Sequence, residues 1–561
     1  MTEYMPLLLT LLPIAVILVM LIILRRAADI SGIVGWIVIS LVAYFAFSTS
    51  VDVILRSTVA GFVRSFSVSL IVATSLLQMA LMEKSGALKR IIIFIKTIAR
   101  DHRAVQIMMI NIGFGTLMVA VGATPVSLLP PILIAMGYST YVAIALPAIG
   151  YDSLCTYALL GAPIVVFVDI ANGFLGKGNE ISLHQAGMVF FMFLPVVSTL
   201  IGFCMLWIVG RGKALKEGWL PCLITGAVIG VVAYFTNRHD NLVVLTGILC
   251  GLAVIIAMAL YLKAGGRKVI DKSQLTTDEL AYENTYSLWK ALSPWILLVM
   301  LVLAMNLHKG SVILTPQNTL AFTDNAELVK QGHVLVPGFD HLYRTLKMPI
   351  MGLTADKKPL DTRALWNAYT WILISTLLAI PILHPTRTQL KDTLRIWLKR
   401  APRPVFAAAI FFAIGEVMNM SGFSMGSGKF ETASMVKVLA DSSSGFFGSA
   451  YGWVVSFIGL FGGFITGSEA STIAMFAKYT LTTAKNLSMP LDGLIIITAG
   501  LAFGGGLASV ISPAKLQNAA ASIDKIGEEG KVIRVAFVFS ILLTIVTTVF
   551  VVILLKCMCP A

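Results

Sequence analysis

The chain has 561 residues, of which 57% are hydrophobic and only 12% are charged. Soluble globular proteins carry about 25% charged residues, so this composition excludes an ordinary soluble domain. Apolar runs of about 20 residues recur from end to end, which predicts an all-α polytopic membrane protein. The alternating apolar and polar residues of an outer-membrane barrel are absent. The formal net charge of +14 is typical of basic cytoplasmic loops and does not indicate nucleic-acid binding.

The sequence offers no motif for bond chemistry. Its six cysteines and seven histidines show no four-ligand metal spacing and no disulfide framework. A Walker A motif is absent, which argues against an ATP-driven pump, and no nucleophile is matched with a base as a membrane enzyme would require. We therefore expect no cofactor, no metal and no enzymatic activity.

The apolar runs and the basic residues between them predict the topology. The first span covers residues 6–24 and is followed by Arg25 and Arg26, which place its end in the cytoplasm and the N-terminus outside. Continuing in this way gives about 12–14 transmembrane helices in the inner (cytoplasmic) membrane. Re-entrant or broken helices make the count ambiguous.

Three regions follow from the distribution of polar residues. Residues 1–262 are predicted as an N-terminal transmembrane half, residues 263–363 as polar loops around one spanning helix, and residues 364–561 as a C-terminal transmembrane half. Residues 384–403 hold six Lys or Arg against one Asp. We interpret them as a cytoplasmic loop and as the strongest positive-inside signal in the chain.

Two short polar interruptions lie inside apolar stretches, one in each half. Residues 122–127 read Gly-Ala-Thr-Pro-Val-Ser, and residues 466–472 read Thr-Gly-Ser-Glu-Ala-Ser-Thr. Lipid cannot hydrogen-bond an open backbone, so irregular chain at membrane depth persists only inside protein or along a wet cavity. A pair of such breaks in corresponding positions predicts the binding site of a secondary transporter.

A weak internal repeat relates the two breaks. When Gly122 is placed over Gly467, Pro163 lies 41 residues after the first glycine and Pro513 lies 46 residues after the second. Each half then reads as a hairpin followed by a helix broken near a proline. This pattern predicts two inverted repeats that meet at the centre of the bilayer, with chance similarity as the alternative.

The breaks supply groups that bind an anion without Lys or Arg. The N-terminus of a half-helix has unbonded N–H groups and the positive end of the helix dipole, and small hydroxyl residues add donors. The alternative is that Gly, Ser and Thr only ease helix packing. The candidate substrate-binding residues are Gly122, Thr124, Ser127, Gly467, Ser468, Ser471 and Thr472.

Three carboxylates lie in apolar surroundings and are candidates for proton coupling. They are Glu469 inside the second break, Asp152 on the helix after the first break, and Glu416 near Asn419. A charged group at membrane depth costs several kcal/mol or takes up a proton, which suits a proton carrier. The alternative for each is a structural hydrogen-bond partner in a polar interior.

At these residues the sequence resembles the lactate permease family of carboxylate/proton symporters. The resemblance covers most of the chain and is strongest in two blocks. The second block has the Thr-Gly-Ser-Glu signature at 466–469, followed by hydroxyl residues, and an Ile-Ser-Pro turn at 511–513. The first block runs from Lys84-Ser85-Gly86 through Gly113-Phe114-Gly115 to Gly161-Ala162-Pro163-Ile164.

The first block also departs from the family pattern. The family has a Gly/Ala-rich segment that begins with a Glu, whereas residues 120–125 read Ala-Val-Gly-Ala-Thr-Pro. Asp152 and Glu416 are the candidates to replace that acid. The resemblance further implies relatives in a wider group of ion transporters, whose inverted repeats carry re-entrant hairpins and move by an elevator-like shift.

We therefore expect a secondary transporter for a small monocarboxylate, such as L-lactate or glycolate, by proton symport. One alternative keeps the fold but carries another organic anion, for example a dicarboxylate, coupled to Na⁺ or H⁺. A channel or a non-transporting scaffold is a further alternative. The expected partners are the small organic anion, the proton and the lipid bilayer, and a homodimer is left open.

Overall fold

The computed structural model describes residues 5–24, 26–122, 125–176, 179–273, 275–307, 311–314, 320–323, 354–356, 367–512, 515–516, 519–520, 523, 525 and 529–559. Of the described residues, 84% are helical and almost none lie in strands. Most of the polar region 308–363, together with Thr124 and Pro513, lies outside the described residues. The polar loop predicted at the end of the region 263–363 therefore stays a prediction.

The N-terminal region is a succession of helices interrupted by short π and 3-10 segments. The π-helix Met108–Phe114 joins the helices Arg103–Ile107 and Gly115–Ala120, and the 3-10 helix Tyr151–Tyr157 joins the helices Thr140–Gly150 and Ala158–Leu175. Shorter segments of the same kinds are Val19–Ile23 and Phe191–Phe193. The helices are α1 (Met5–Leu18), α2 (Ala28–Ala46), α3 (Val51–Arg64), α4 (Phe66–Lys84), α5 (Ala87–Lys96), α6 (Arg103–Ile107), α7 (Gly115–Ala120), α8 (Pro125–Ala135), α9 (Thr140–Gly150), α10 (Ala158–Leu175), α11 (Leu183–Phe190), α12 (Leu194–Asn237), α13 (Asp240–Val243) and α14 (Thr246–Ala264).

The rest of the chain is also made of helices interrupted by short 3-10 segments. Two antiparallel strand pairs are present, Ser311–Leu314 (β1) with Leu320–Thr323 (β2) and Phe423–Ser424 (β3) with Lys429–Phe430 (β4). The 3-10 segments are Gly448–Trp453 and Ser509–Ile511. The helices are α15 (Thr277–Thr285), α16 (Leu288–Leu307), α17 (Ala368–Leu383), α18 (Arg387–Arg400), α19 (Pro402–Met420), α20 (Met435–Phe447), α21 (Val455–Thr466), α22 (Glu469–Asn486), α23 (Leu491–Ala508) and α24 (Glu529–Met558).

Many of these helices are long and apolar enough to cross a membrane. Among the described residues, nine helical stretches pass that test, two more pairs pass it together although they are bent, and two shorter apolar helices lie at Met5–Leu21 and Ala368–Leu383. The predicted all-α, multi-pass membrane architecture is confirmed. The number of crossings, the outward N-terminus and the division at residues 262 and 363 stay predictions.

The stretch Leu183–Asn237 shows how basic residues separate two spans. Its 55 residues exceed the roughly 20 that one crossing needs. The backbone leaves the helical region at Gly210 and at Arg211, whose φ of 48° is left-handed. The structure therefore bends where the sequence changes from apolar residues to Arg211, Lys213 and Lys216.

The basic segment expected to be a loop is largely helical. Residues 387–400 form α18, which begins with a capping box: the hydroxyl of Thr386 accepts from the backbone of Gln389, and the Gln389 side chain accepts from the Thr386 backbone. A capping box satisfies two of the N–H groups that a helix start leaves open. The connection predicted here is therefore helical rather than irregular, because local capping and helix-forming residues outweigh its high charge, and its cytoplasmic side stays a prediction.

Glycines bring α21 and α23 into backbone contact. A Cβ added at Gly459 would collide with the main chain of Leu501, and one added at Gly463 would collide with the main chain of Gly505. Small residues four apart are the usual means by which membrane helices approach closely. The second break follows α21 directly and is therefore fixed against α23.

The core is shared between the two halves. Phe193, in the 3-10 segment before α12, stacks on Phe503 of α23 with ring centroids 4.8 Å apart. Helix α10 also packs along α22. The N-terminal and C-terminal halves therefore bury their apolar faces against each other, and both contribute to the region around the breaks.

Candidate functional site

The second predicted break is present and has a defined geometry. Helix α21 ends at Thr466, Gly467 adopts a left-handed conformation with φ of 68°, and α22 begins at Glu469. The hydroxyl of Ser468 accepts a hydrogen bond from the backbone N–H of Ser471 at 3.5 Å. Glycine supplies the left-handed turn without steric cost, and serine caps the next helix. The residue order Gly-Ser-Glu therefore ends one helix and begins the next within three residues.

Hydroxyl groups stabilise this break from within. The Thr472 hydroxyl donates to the carbonyl of Ser468 at 2.8 Å and lies 3.1 Å from the Thr466 hydroxyl. The Thr472 side chain is fully buried and lies against Gly462 and Gly505. In this conformation Thr472 supports the break and its packing, while Gly467 and Ser471 lie within or next to the turn.

Glu469 is joined across the protein to the N-terminal half. Its side chain is 2% exposed, and the hydroxyl of Thr156 donates to Oε1 at 2.7 Å. Among the described residues, Oε2 has no hydrogen-bond partner. A buried carboxyl group with one unsatisfied oxygen is costly unless it takes up a proton or receives a ligand.

The segment that holds Thr156 is itself a broken helix. The 3-10 helix Tyr151–Tyr157 is followed by three left-handed residues, Leu159, Leu160 and Gly161, with φ of 52°, 55° and 74°. Left-handed backbone is a genuine outlier for a bulky residue and costs about 1–3 kcal/mol at each such site. The interruption predicted at 161–163 is confirmed, and it begins some ten residues earlier than the proline pattern indicates.

A polar network anchors this strained segment. The Tyr157 hydroxyl donates to Oδ1 of Asn237 at 2.8 Å, and Nδ2 of Asn237 donates to the carbonyl of Ala233 at 2.8 Å. Tyr157 and Asn237 are both fully buried. The end of α12 thus holds Tyr157 in place through Asn237. Because Thr156 is the preceding residue, this contact also fixes the position of the Thr156 hydroxyl.

The first predicted break lies beside the same segment. Gly122 ends α7 with φ of 90°, and a Cβ there would come within 2.6 Å of Cβ of Ser75 and 3.6 Å of the Leu159 side chain. Helix α8 begins at Pro125, so the chain does break where the sequence predicts. Thr124 and the side chain of Ser127 lie outside the described part of the structure, and their role in substrate binding stays a prediction.

The other two predicted carboxylates differ in their surroundings. Asp152 is 3% exposed and belongs to the same 3-10 helix as Thr156, four residues earlier. Glu416 lies on α19, where its Oε2 accepts from Nη1 of Arg64 at 3.1 Å. Asp152 therefore shares the segment that meets the second break, whereas Glu416 has a cationic partner on α3.

Two residues of this region were missed by sequence reasoning. Thr156 is a lone hydroxyl residue in an apolar stretch and gives no distinctive signal. Lys515 is half-buried and follows the 3-10 helix Ser509–Ile511; its backbone N–H donates to the carbonyl of Ser512 at 3.1 Å. The sequence could have pointed to Lys515, because a lysine two residues after an Ile-Ser-Pro turn is unusual at membrane depth.

The geometry does not indicate a metal centre. Within the described ranges, no group of three or more His, Cys, Asp or Glu side chains is placed to hold a metal ion. The free thiol of Cys155 lies next to Glu469, since a Cβ at Gly506 would touch both side chains. The candidate site is thus built from the carboxyl group of Glu469, with Asp152 on the facing segment, and from hydroxyl groups and broken backbone.

Broken helices from two halves that meet at a buried carboxylate, within a multi-pass helical protein, are typical of membrane transporters. A family model described as L-lactate permease matches residues 6–558, nearly the whole chain. The chain belongs to the L-lactate permease family, and it is a transporter in the cell membrane rather than an enzyme.

Individual relatives are distant but cover most of the chain. Glycolate permease GlcA of Escherichia coli is 24% identical over 94% of this chain and 91% of its own length. L-lactate permease of Salmonella typhi is 22% identical over 90% of this chain and 89% of its own. L-lactate permease of Bacillus subtilis is 23% identical over 80% of this chain and 78% of its own.

Two solved structures were also found to be similar at a coarse level. The YdaH transporter of Alcanivorax borkumensis matches with a TM-score of 0.42 at 11% identity, over 90% of this chain and 88% of that one. MtrF of Neisseria gonorrhoeae, which belongs to a class of antimetabolite efflux pumps, matches with a TM-score of 0.42 at 14% identity, over 89% and 83%.

Proposed function

We propose that this protein transports a small monocarboxylate, of the L-lactate or glycolate kind, together with a proton. Membership of the L-lactate permease family and the relatives named glycolate permease and L-lactate permease support the class of substrate. The observation that carries the proposal for the coupling ion is the buried contact between Glu469 and Thr156 at the meeting point of the two halves.

Glu469 is placed to make anion binding depend on a proton. Its carboxyl group is 2% exposed and lies at the first position of α22, directly after the break. If Glu469 is ionised, a substrate carboxylate about 4 Å away is repelled by roughly 4 kcal/mol at an effective dielectric constant of about 20. Protonation removes this repulsion, so the anion and the proton bind together.

The substrate carboxylate has a favourable environment beside this proton site, because the N-terminus of α22 favours an anion through the helix dipole. We assign Gly467, Ser468 and Ser471 to the wall of the site; in the observed conformation their backbone N–H groups donate within the break, to Gly463, Thr466 and Ser468. Ser512 lies against Gly467 on the other side of the turn. We propose that Gly122, Thr124 and Ser127 also bind the substrate, and we assign Thr472 to the support of the break.

Proton symport also agrees with the energetics of the membrane. A monocarboxylate that enters alone against an inside-negative potential loses about 2.3 kcal/mol per 100 mV. A co-transported proton makes the movement electrically neutral. The other two candidates for the proton site differ in their surroundings. Asp152 shares the 3-10 helix of Thr156, whereas Glu416 is paired with Arg64.

The test is uptake of labelled L-lactate and glycolate into proteoliposomes with an imposed proton gradient. Wild-type protein is expected to accumulate label, and a protonophore is expected to abolish the accumulation. Glu469→Gln is expected to lose proton-driven accumulation, because the amide cannot exchange the proton. Asp441→Asn, an exposed change on α20, is the matched control and is expected to behave as wild type.

Thr156→Val tests the bond between the halves. The substitution removes a hydrogen bond to a carboxyl group, worth about 1.5–3 kcal/mol, and is expected to weaken coupled uptake. Thr480→Val is the control, since Thr480 is a buried threonine of the same helix as Glu469 whose hydroxyl donates to the carbonyl of Phe476, within α22. Proton-driven uptake that persists in Glu469→Gln contradicts the coupling assignment, and transport of only other anions contradicts the substrate assignment.

A further inference from the structure

Helix α18 has one face fixed to the protein and another left exposed. On the inner face, Thr393 is buried and the indole N–H of Trp397 donates to the carbonyl of Ala73 on α4 at 2.8 Å. On the outer face, Leu394 and Leu398 are 52% and 62% exposed. Two large apolar side chains one turn apart on an exposed face favour contact with an apolar phase.

A row of positive charges runs beside these leucines. Cationic residues recur at every fourth position along α18, and another follows its end, with one aspartate among them. This pairing of an apolar row with a cationic row is typical of a helix that lies at a membrane surface containing anionic lipids. The cationic residues, all exposed, are Arg387, Lys391, Arg395, Lys399, Arg400 and Arg403.

An open apolar groove begins where α18 ends. It has a volume of about 530 Å³ and lies between the starts of α2 and α19 and the end of α3. The rings of Phe62 and Phe406 form part of its wall, with centroids 6.2 Å apart. Val405 and Ala409 extend the apolar surface, and this volume is within the range of sites that bind small ligands.

Charged groups collect at the mouth of the groove. Nε of Arg403 lies 3.3 Å from Oδ2 of Asp29, and Nη1 of Arg400 lies 2.7 Å from Oε2 of Glu83. The side chains of Arg403 and Arg400 remain 74% and 54% exposed despite these pairs. Arg403 and Asp29 line the groove itself. Arg400 and the exposed Lys399 stand three and four residues before Arg403 at the end of α18, so the chain that leads into the groove carries three cations against the two carboxylates.

We propose that this groove binds one phospholipid with an anionic headgroup. One acyl chain lies against Phe62, Phe406 and Ala409, and the phosphate is held by Arg403 and Lys399. A free phosphate would use the charges and leave the apolar groove empty, and a zwitterionic lipid would use the groove without the excess of positive charge. The combination of both features fits an anionic lipid, and the inference is independent of the transported substrate.

The experiment is native mass spectrometry of the full-length protein in detergent, titrated with phosphatidylglycerol and, separately, with phosphatidylcholine and inorganic phosphate. One phosphatidylglycerol per chain is expected to bind more tightly than phosphatidylcholine. Each cation near an anionic lipid contributes about a fivefold change in affinity. Arg403→Gln and Lys399→Gln are therefore each expected to weaken binding about fivefold, and Arg403→Lys to restore it.

A second set of variants tests the contribution of the apolar groove separately from that of the cationic residues. Ala409→Phe is expected to fill the groove and abolish phosphatidylglycerol binding, while Ala407→Phe, on the same helix but outside the groove lining, leaves it intact. Arg387→Gln, at the far end of α18, is the charge control. Equal binding of both lipids, competition by inorganic phosphate, or full binding by Ala409→Phe would each overturn the proposal.

Discussion

Gly506 of α23 faces the carboxyl group of Glu469, and an added methyl group there perturbs the site directly. A Cβ at this position would lie 2.7 Å from Oε2 of Glu469 and 3.4 Å from Cβ of Cys155. Real Cβ atoms essentially never come closer than 3.0 Å to a neighbour. Gly506→Ala must therefore push the Glu469 side chain away from the position in which it meets Thr156.

The size of the effect follows from the packing. An extra methyl group in a close-packed interior costs about 1–3 kcal/mol, and here the neighbour that must move is the proposed proton carrier. Because about 1.4 kcal/mol corresponds to a factor of ten, kcat/KM for proton-driven uptake is expected to fall roughly 5- to 150-fold. The loss is expected in coupled uptake rather than in the amount of folded protein.

The assay is initial-rate uptake of labelled L-lactate in proteoliposomes across a series of substrate concentrations, with and without a proton gradient. Gly173→Ala is the matched control, because Gly173 lies in α10 and a Cβ there meets nothing within 4 Å. Size-exclusion profiles and thermal melts check that both variants fold. Wild-type kinetics in Gly506→Ala would refute the inference that Glu469 acts from the observed position.

Three further predictions concern stability. Gly463→Ala is expected to lower Tm by forcing α21 away from the backbone of Gly505, at a cost of about 1–3 kcal/mol. Arg90→Gln is expected to lower Tm, because Arg90 is buried and its Nη2 lies 3.0 Å from Oε1 of Glu283. Lys272 lies 3.1 Å from the same oxygen and keeps it paired in the variant, so the loss is expected to stay below the roughly 3–5 kcal/mol of a fully buried pair that loses its partner. Burial and a nearby arginine lower the pKa of His102, so its contribution to stability is expected to be lost as pH falls through that lowered value, and His102→Asn to remove this acid sensitivity.

Each of these predictions has a control and a contrary result. Gly173→Ala is the control for Gly463→Ala. Equal Tm values for these two variants would contradict the close packing of α21 on α23. Arg56→Gln removes an exposed i,i+4 pair with Asp52 and is expected to change Tm little; an equal loss for both arginines would contradict the burial argument. For His102, neutral Nδ1 accepts from the backbone of Val105 at 3.4 Å, and an unchanged pH profile in the asparagine variant would contradict the cap.

The second break was predictable because its causes are local. A glycine that turns the chain, a serine that caps and a glutamate that follows stand consecutively at 467–469, so short-range chemistry determines the geometry. The first break was predictable for the same reason at Gly122 and Pro125. The multi-pass helical class followed from composition alone, since runs of this length and hydropathy have few other structures.

The partner of Glu469 was not predictable, because it comes from the other half of the chain. Thr156 lies in an apolar run, and the left-handed Leu159 and Leu160 beside it give no local signal, since bulky residues rarely adopt that conformation. This left-handed conformation is held by tertiary contacts, which the local sequence does not reveal. The pairing of Glu416 with Arg64 was missed for the same reason: it depends on how α3 packs against α19.

The bond between Thr156 and Glu469 joins residues 313 positions apart, and this has a consequence for biosynthesis. At about 5–20 residues per second, a ribosome needs roughly 16–63 s to translate the intervening chain. Throughout that interval the strained segment 151–161 has left the ribosome without its partner. The candidate transport site is therefore among the last features of the molecule to assemble, and a nascent chain that stops before Glu469 contains helices but not this contact between the halves.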